Sequence, residues 1–239
     1  GHLAAPAAQP EIADLHFRVR GPLVQQMEQV FLADWSFAAG QPLPGSAARG
    51  EHQPDAGDHA GRVITEGPNE DIDRLMMVLI GILATAHERV WIMTPYFLPP
   101  APLLSALQSA ALRGIDVSIV IPQRSDQPWL DWATRHILRQ LLRRQVRVYL
   151  RPAPFAHTKL LLADNWYVQF GSANLDTRSL RLNFELMVES YGAPLAAALA
   201  RHFAEVRAAS HPAQIGELDA RRLPARLRDA LCWLFSPYL

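Results

Sequence analysis

His157 and Lys159 stand two residues apart, and Lys159 is the one lysine of the sequence; the other 22 basic side chains are arginines. Asp164 follows, then Gly171, Ser172 and Asn174, so the stretch reads H-x-K-x4-D-x6-G-S-x-N. Those residue types suit phosphate chemistry. A neutral imidazole can attack phosphorus and carry a covalent phosphohistidine, dividing one hard displacement into two. An ammonium is a compact charge for phosphoryl oxygens, and a hydroxyl and an amide can donate hydrogen bonds to the same oxygens as charge builds. The imidazole also needs an acceptor on its second nitrogen. Glu185, in Asn183-Phe184-Glu185-Leu186, is the candidate. Each feature alone is ordinary: His-x-Lys is a common surface pair, Gly-Ser-Ala-Asn a common turn, and Asp164 first of all a good turn residue. The combined spacing carries the specificity. No glycine-rich phosphate loop or metal-binding carboxylate cluster accompanies it, so charge stabilisation falls to side chains.

The side chains converge only if local structure brings them together. In a strand, residues two apart share a face, so His157 and Lys159 point the same way, as Ser172 and Asn174 do. Residues 156–163 are mostly apolar, Asp164-Asn165 suits a turn, and residues 166–170 run back, which sets Ser172 roughly opposite His157. Around this hairpin the pattern is α/β. Alternation over 15–20 predicts a strand, and Leu23, Met27, Val30, Phe31 and Trp35 give a helical stripe over 22–37. Strands are predicted at 62–65, 90–94, 117–121, 146–150 and 186–191. Helices are predicted from Asn69 to about 87, over 102–113 with Gly114 closing it, over 128–144, and onward to the C-terminus. Strands alternating with helices imply helices on both faces of a mixed sheet.

Bulk composition narrows the function. With 49% hydrophobic residues the chain can bury a core. Zero formal charge argues against a broad nucleic-acid surface. A lone Cys232 excludes an internal disulfide framework, and nine scattered histidines show no metal-ligand spacing. The longest apolar run, 75–86, is short of the ~20 residues that span a bilayer, and no signal peptide is visible. The segment 223–235 mixes basic and apolar residues at helical spacing, which suits either a membrane interface or a docked terminal helix.

With its motif unbroken at His157, Lys159, Asp164, Gly171, Ser172 and Asn174, the chain resembles the phospholipase D superfamily, and within it the bacterial cardiolipin synthases. Thr94-Pro-Tyr-Phe-Leu-Pro99, residues 113–122, Asn174 through Glu185 and the ending Leu234 through Leu239 support the narrower likeness. The resemblance implies a phospholipase D-like α/β/α sandwich with a mixed β-sheet. It implies His157 as an active-site histidine oriented by Glu185, a phosphatidyl-enzyme intermediate, and neither metal nor cofactor. The synthase reaction joins two phosphatidylglycerols into cardiolipin and glycerol, which implies a phospholipid substrate, a membrane surface as partner and a peripheral place on the cytoplasmic membrane.

Members of this superfamily carry two such motifs, one per domain, and this sequence has one. The expected organisation is residues 1–39 as the tail of a first phospholipase D-like domain, 40–61 as a flexible linker and 62–239 as the second domain. Asp14 sits where the first domain's histidine-orienting acid would be. The chain is then the C-terminal half of a synthase, inactive alone, whose partner is the missing first domain. Other readings are a hydrolase with water as acceptor, a single-motif enzyme completed by a second copy, and a non-catalytic lipid-binding fragment.

Overall fold

The structure, a computed structural model, describes residues 11–43, 53–67 and 72–236. In chain order the elements are β1 (Ile12–Ala13), α1 (Pro22–Ala39), β2 (Ala60–Glu66), α2 (Arg74–Thr85), β3 (Arg89–Met93), β4 (Phe97–Leu98), α3 (Ala101–Leu112), β5 (Asp116–Pro122) and α4 (Pro128–Leu142). There follow β6 (Arg147–Arg151), β7 (Phe155–Ala156), β8 (Leu160–Ala163), β9 (Tyr167–Gly171), β10 (Leu175–Asp176), β11 (Glu185–Tyr191), α5 (Ala193–Ala208), β12 (His211–Pro212), α6 (Ile215–Asp219) and α7 (Leu223–Leu234).

Eight strands form one sheet in the order β12-β6-β5-β3-β8-β9-β11-β2. The β3, β5 and β6 strands run parallel; every other pairing is antiparallel. The central strands are apolar on both faces because both are covered. Val90 and Ile92 of β3 join one core with Leu75, Leu79, Leu107 and Ile137 of α2, α3 and α4. Trp91 and Met93 join a second core with Leu199 and Phe203 of α5. Alternation of side chains across a strand feeds two layers from one segment, and the result is an α/β/α sandwich with a mixed sheet.

Several local expectations shift. Leu15, Phe17 and Val19 do turn inward against the second core, yet residues 15–20 form no ladder. Only Ile12–Ala13 finds a strand, β7, to exchange backbone hydrogen bonds with. The helical stripe on α1 exists, but no residue of that helix is fully buried. Leu23 and Met27 touch the second core, while Phe31 is 55% and Trp35 43% exposed. The second helix begins at Arg74; Asn69, the expected cap, lies outside the described residues, as do 1–10, 44–52 of the expected linker and the last three residues. Buried Glu66 instead accepts the N–H groups of Asp73 and Leu75 at 2.9 and 2.7 Å, supplying the carboxylate that a helix start favours. Residues 60 and 61, expected in the linker, belong to β2. Gly114 follows α3 at φ 93° as expected, a left-handed position that glycine takes without strain.

Candidate active site

The site is built on the β8–β9 hairpin. Leu160 pairs with Phe170 and Ala163 with Tyr167, so the turn is Asp164-Asn165-Trp166. Asp164 adopts φ 51° there, a conformation Asp tolerates better than most residues. Its carboxylate accepts the backbone N–H of Glu88 at 2.8 Å, of Arg89 at 3.1 Å and of His87 at 3.2 Å. Burial pushes this carboxyl up, but those three donors outweigh it and hold it below the usual range. Asp164 therefore tethers the hairpin turn to the start of β3, at the end of the hairpin away from His157.

At the other end, His157 and Lys159 share a face. The Lys159 Nζ lies 2.9 Å from Nδ1 and 3.0 Å from Nε2 of the imidazole and donates to the His157 carbonyl at 2.8 Å. Burial lowers the Lys159 ammonium below its ordinary value, partly opposed by the carboxylates of Asp14, Glu185 and Asp176. The β8–β9 register, continued, sets Ser172 across from Thr158, one residue from the expected position opposite His157. His157, Lys159 and Ser172 nonetheless line one cavity of about 290 Å³, together with Asp14, Leu15, Phe17 and Phe170. Phe17 stacks on Phe170 at 3.8 Å and forms its apolar wall.

Gly171 makes the Ser172 placement possible. A Cβ at Gly171 would meet the Leu186 carbonyl oxygen at 2.1 Å, so only glycine lets the chain pass this close to β11. Ser172 N–H then donates to Leu186 O at 3.0 Å, and its hydroxyl donates to Glu185 at 2.5 Å. Asn174 is not among the residues lining the cavity, and its buried Oδ1 has no hydrogen-bond partner among the described residues.

The acid beside the histidine differs from the expected one. Glu185 binds Ser172 and the Asn183 amide, not His157. Asp14 holds that place, with Oδ2 at 3.4 Å from His157 Nδ1. The cause is the parallel β1–β7 ladder. Ile12 pairs with Phe155 and Ala13 with Ala156, and the His157 N–H donates to Ala13 O at 2.9 Å. One further step in register sets Asp14 beside His157. A second carboxylate that the sequence did not single out, Asp176, is buried near Lys159, and burial raises its pKa. It accepts the Ser179 N–H at 2.7 Å. Among the described residues no group of three His, Cys, Asp or Glu gathers as metal ligands, and no helix is long and apolar enough to cross a membrane.

Residues 79–207, which contain this whole motif, match the family described as cardiolipin synthase, PLD-like domain. The chain belongs to this phospholipase D-like family. Similar proteins include the major cardiolipin synthase ClsA of Bacillus subtilis, 33% identical over 233 residues, covering 95% of this chain and 47% of that protein. Cardiolipin synthase 2 of Bacillus anthracis is 31% identical over 232 residues, covering 95% of this chain and 44% of that one. The chain thus spans less than half the length of these curated relatives. Among solved phospholipase D-like folds, phosphatidylserine synthase of Haemophilus influenzae superposes with a TM-score of 0.64 at 19% identity, over 81% of this chain and 52% of that one. The family member Nuc of Salmonella typhimurium gives 0.56 at 20% identity, over 66% of this chain and 99% of that one. The fold of this family is the α/β/α sandwich described above.

Proposed function

We propose that this chain is one catalytic lobe of a phosphatidyltransferase of cardiolipin synthase type. The observation that carries the reading is the convergence of His157, Lys159 and Ser172 on one cavity, with Asp14 behind the imidazole. In this reading Nε2 of His157 attacks the phosphorus of phosphatidylglycerol. The bond from phosphorus to the glycerol oxygen breaks, and glycerol leaves with a proton from a general acid. A hydroxyl of a second phosphatidylglycerol then gives up its proton, attacks the phosphohistidine and forms cardiolipin, freeing the imidazole.

Each neighbour has a part. Asp14 fixes the ring and favours the charge that forms on it. In this reading Lys159 faces the phosphoryl oxygens, where charge builds in the transition state, and the Ser172 hydroxyl turns its proton from Glu185 to those oxygens when substrate binds. Glu185 positions Ser172, and Asn183 holds Glu185 at 3.2 Å. Asp164 anchors the hairpin and takes no part in the chemistry. The general acid must be a second titratable group. Among the described residues, no other histidine lines this cavity. A second lobe with its own histidine supplies it, in line with relatives of about twice this length. Water as acceptor in the second step turns the same site into a phospholipase, and product analysis separates the two.

The test uses the complete protein. Acid-quenched turnover with labelled phosphatidylglycerol is expected to leave a phosphatidyl group on the peptide containing His157, and His157→Ala is expected to abolish both that adduct and cardiolipin formation. An adduct that persists in the His157→Ala enzyme overturns the assignment of the nucleophile.

A further inference from the structure

Helix α7 turns its one acidic residue inward and its leucines outward. Its one buried residue is Asp229, which pairs with Arg221 at 3.2 Å and Arg228 at 2.8 Å. On the same inner side Trp233 stacks on His136 of α4 at 4.9 Å, and the Arg228 guanidinium covers Trp132 at 4.2 Å. The outer side carries Leu223, Leu227, Leu231, Leu234 and Phe235, each between 56% and 65% exposed. At 3.6 residues per turn these five fall within about 120° of the helix circumference. A contiguous apolar stripe facing water marks an interaction surface.

Charge identifies what it faces. Arg222 and Arg226 flank the stripe and are exposed, whereas the only acidic residue of α7 is the inward, paired Asp229. Exposed cationic groups thus run along one edge of the apolar stripe and no carboxylate of α7 is exposed, the chemistry that binds an anionic phospholipid surface. We propose that α7 is a docking face for anionic bilayers, its leucines lying at the boundary between headgroups and acyl chains and Arg222 and Arg226 among the phosphates. The proposal rests on the phosphatidyl-transfer reading for its choice of lipid, and assigns the surface through which the chain meets the membrane holding its substrate.

The experiment is flotation of the full chain with vesicles of phosphatidylcholine alone and of phosphatidylcholine mixed with phosphatidylglycerol. Binding is expected with the mixed vesicles, weakened about tenfold or more in Leu227→Gln/Leu231→Gln. Arg222→Gln/Arg226→Gln is expected to remove the preference for phosphatidylglycerol. All four side chains are exposed, so an unchanged thermal midpoint verifies that each variant folds. No binding by the unaltered chain, or binding that the leucine substitutions leave intact, overturns the proposal. So does a substitution effect confined to the sedimenting mass, which marks the stripe as a contact between copies. The catalytic reading is judged separately. In the complete enzyme assayed in detergent micelles, the leucine variant keeps the phosphohistidine, and His157→Ala leaves vesicle binding unchanged.

Discussion

At the scale of single residues, the proposed site turns on Lys159, in a chain whose other basic side chains are all arginines. An ammonium is compact enough to sit within 3.0 Å of both imidazole nitrogens and still reach the backbone oxygen of the same histidine. A planar guanidinium spreads its donors over a fork and has no such point geometry. In the proposed mechanism Asp14 is the other decisive residue: its carboxylate stands 3.4 Å from Nδ1, the ring nitrogen not assigned to attack phosphorus. Asp14→Asn keeps the shape and an acceptor oxygen but removes the charge. In the complete protein this substitution is expected to lower kcat about tenfold or more while KM stays nearly constant. Steady-state kinetics measures this. Unchanged kcat makes the Asp14 contact a packing contact only.

At the scale of elements, the β8–β9 hairpin is held at both ends by contacts outside itself. Its turn is tethered by Asp164 to three backbone N–H groups at the start of β3, and its open end is set by the close approach of Gly171 to β11. Removing the Asp164 charge weakens hydrogen bonds that a carboxylate accepts more strongly than an amide. Asp164→Asn is expected to cost about 1–3 kcal/mol of stability. The carboxyl's pKa in the folded chain lies below its unfolded value of 3.8. Its contribution is thus fully present above that value and is lost as pH falls through the lower, folded one. Thermal midpoints of the two proteins should differ by a constant gap near neutrality, and the gap should close only below pH 3.8. A gap unchanged in acid attributes the effect to shape and not to charge. The two-residue β1–β7 ladder is the smaller device and brings the N-terminal arm to the histidine.

At the scale of the whole molecule, two cores on opposite faces of one sheet make a stable platform, while the arm and α1 lie over only part of the second. Phe31, Trp35 and Phe37 of α1 remain 43–62% exposed, and Phe37 leans on Phe184, one residue from Glu185, at 5.1 Å between ring centroids. Of these three, Phe37 stands next to the candidate site through its contact with Phe184. The chain on its own is expected to show no phosphatidyl transfer, because the leaving glycerol finds no general acid. A radiolabelled phosphatidylglycerol assay on the purified chain, with its mass fixed by sedimentation, measures this. Turnover by a monomer contradicts the two-lobe reading, and turnover by a dimer places the second histidine on another copy.

Much of this was legible beforehand, for a definite reason. Period-two and period-3.6 patterns are local, so the strands at 90–94 and 117–121 and the helices after Pro102 and Pro128 could be read from the sequence to within a few residues. The pairing of His157 with Lys159 and the turn at Asp164 are local as well. Contacts between segments far apart in the chain were not legible, because no periodicity encodes which strands become neighbours. The sequence pointed to Glu185 as the acid on the imidazole, and the tertiary structure brought Asp14, 143 residues away, to that place. It likewise showed no ladder over 15–20, where alternation came from burial without a neighbouring strand. By itself the sequence determined the family and the sandwich. Only the packing of distant segments decided which carboxylate meets the histidine, which residues share its cavity and which face of α7 is turned to water.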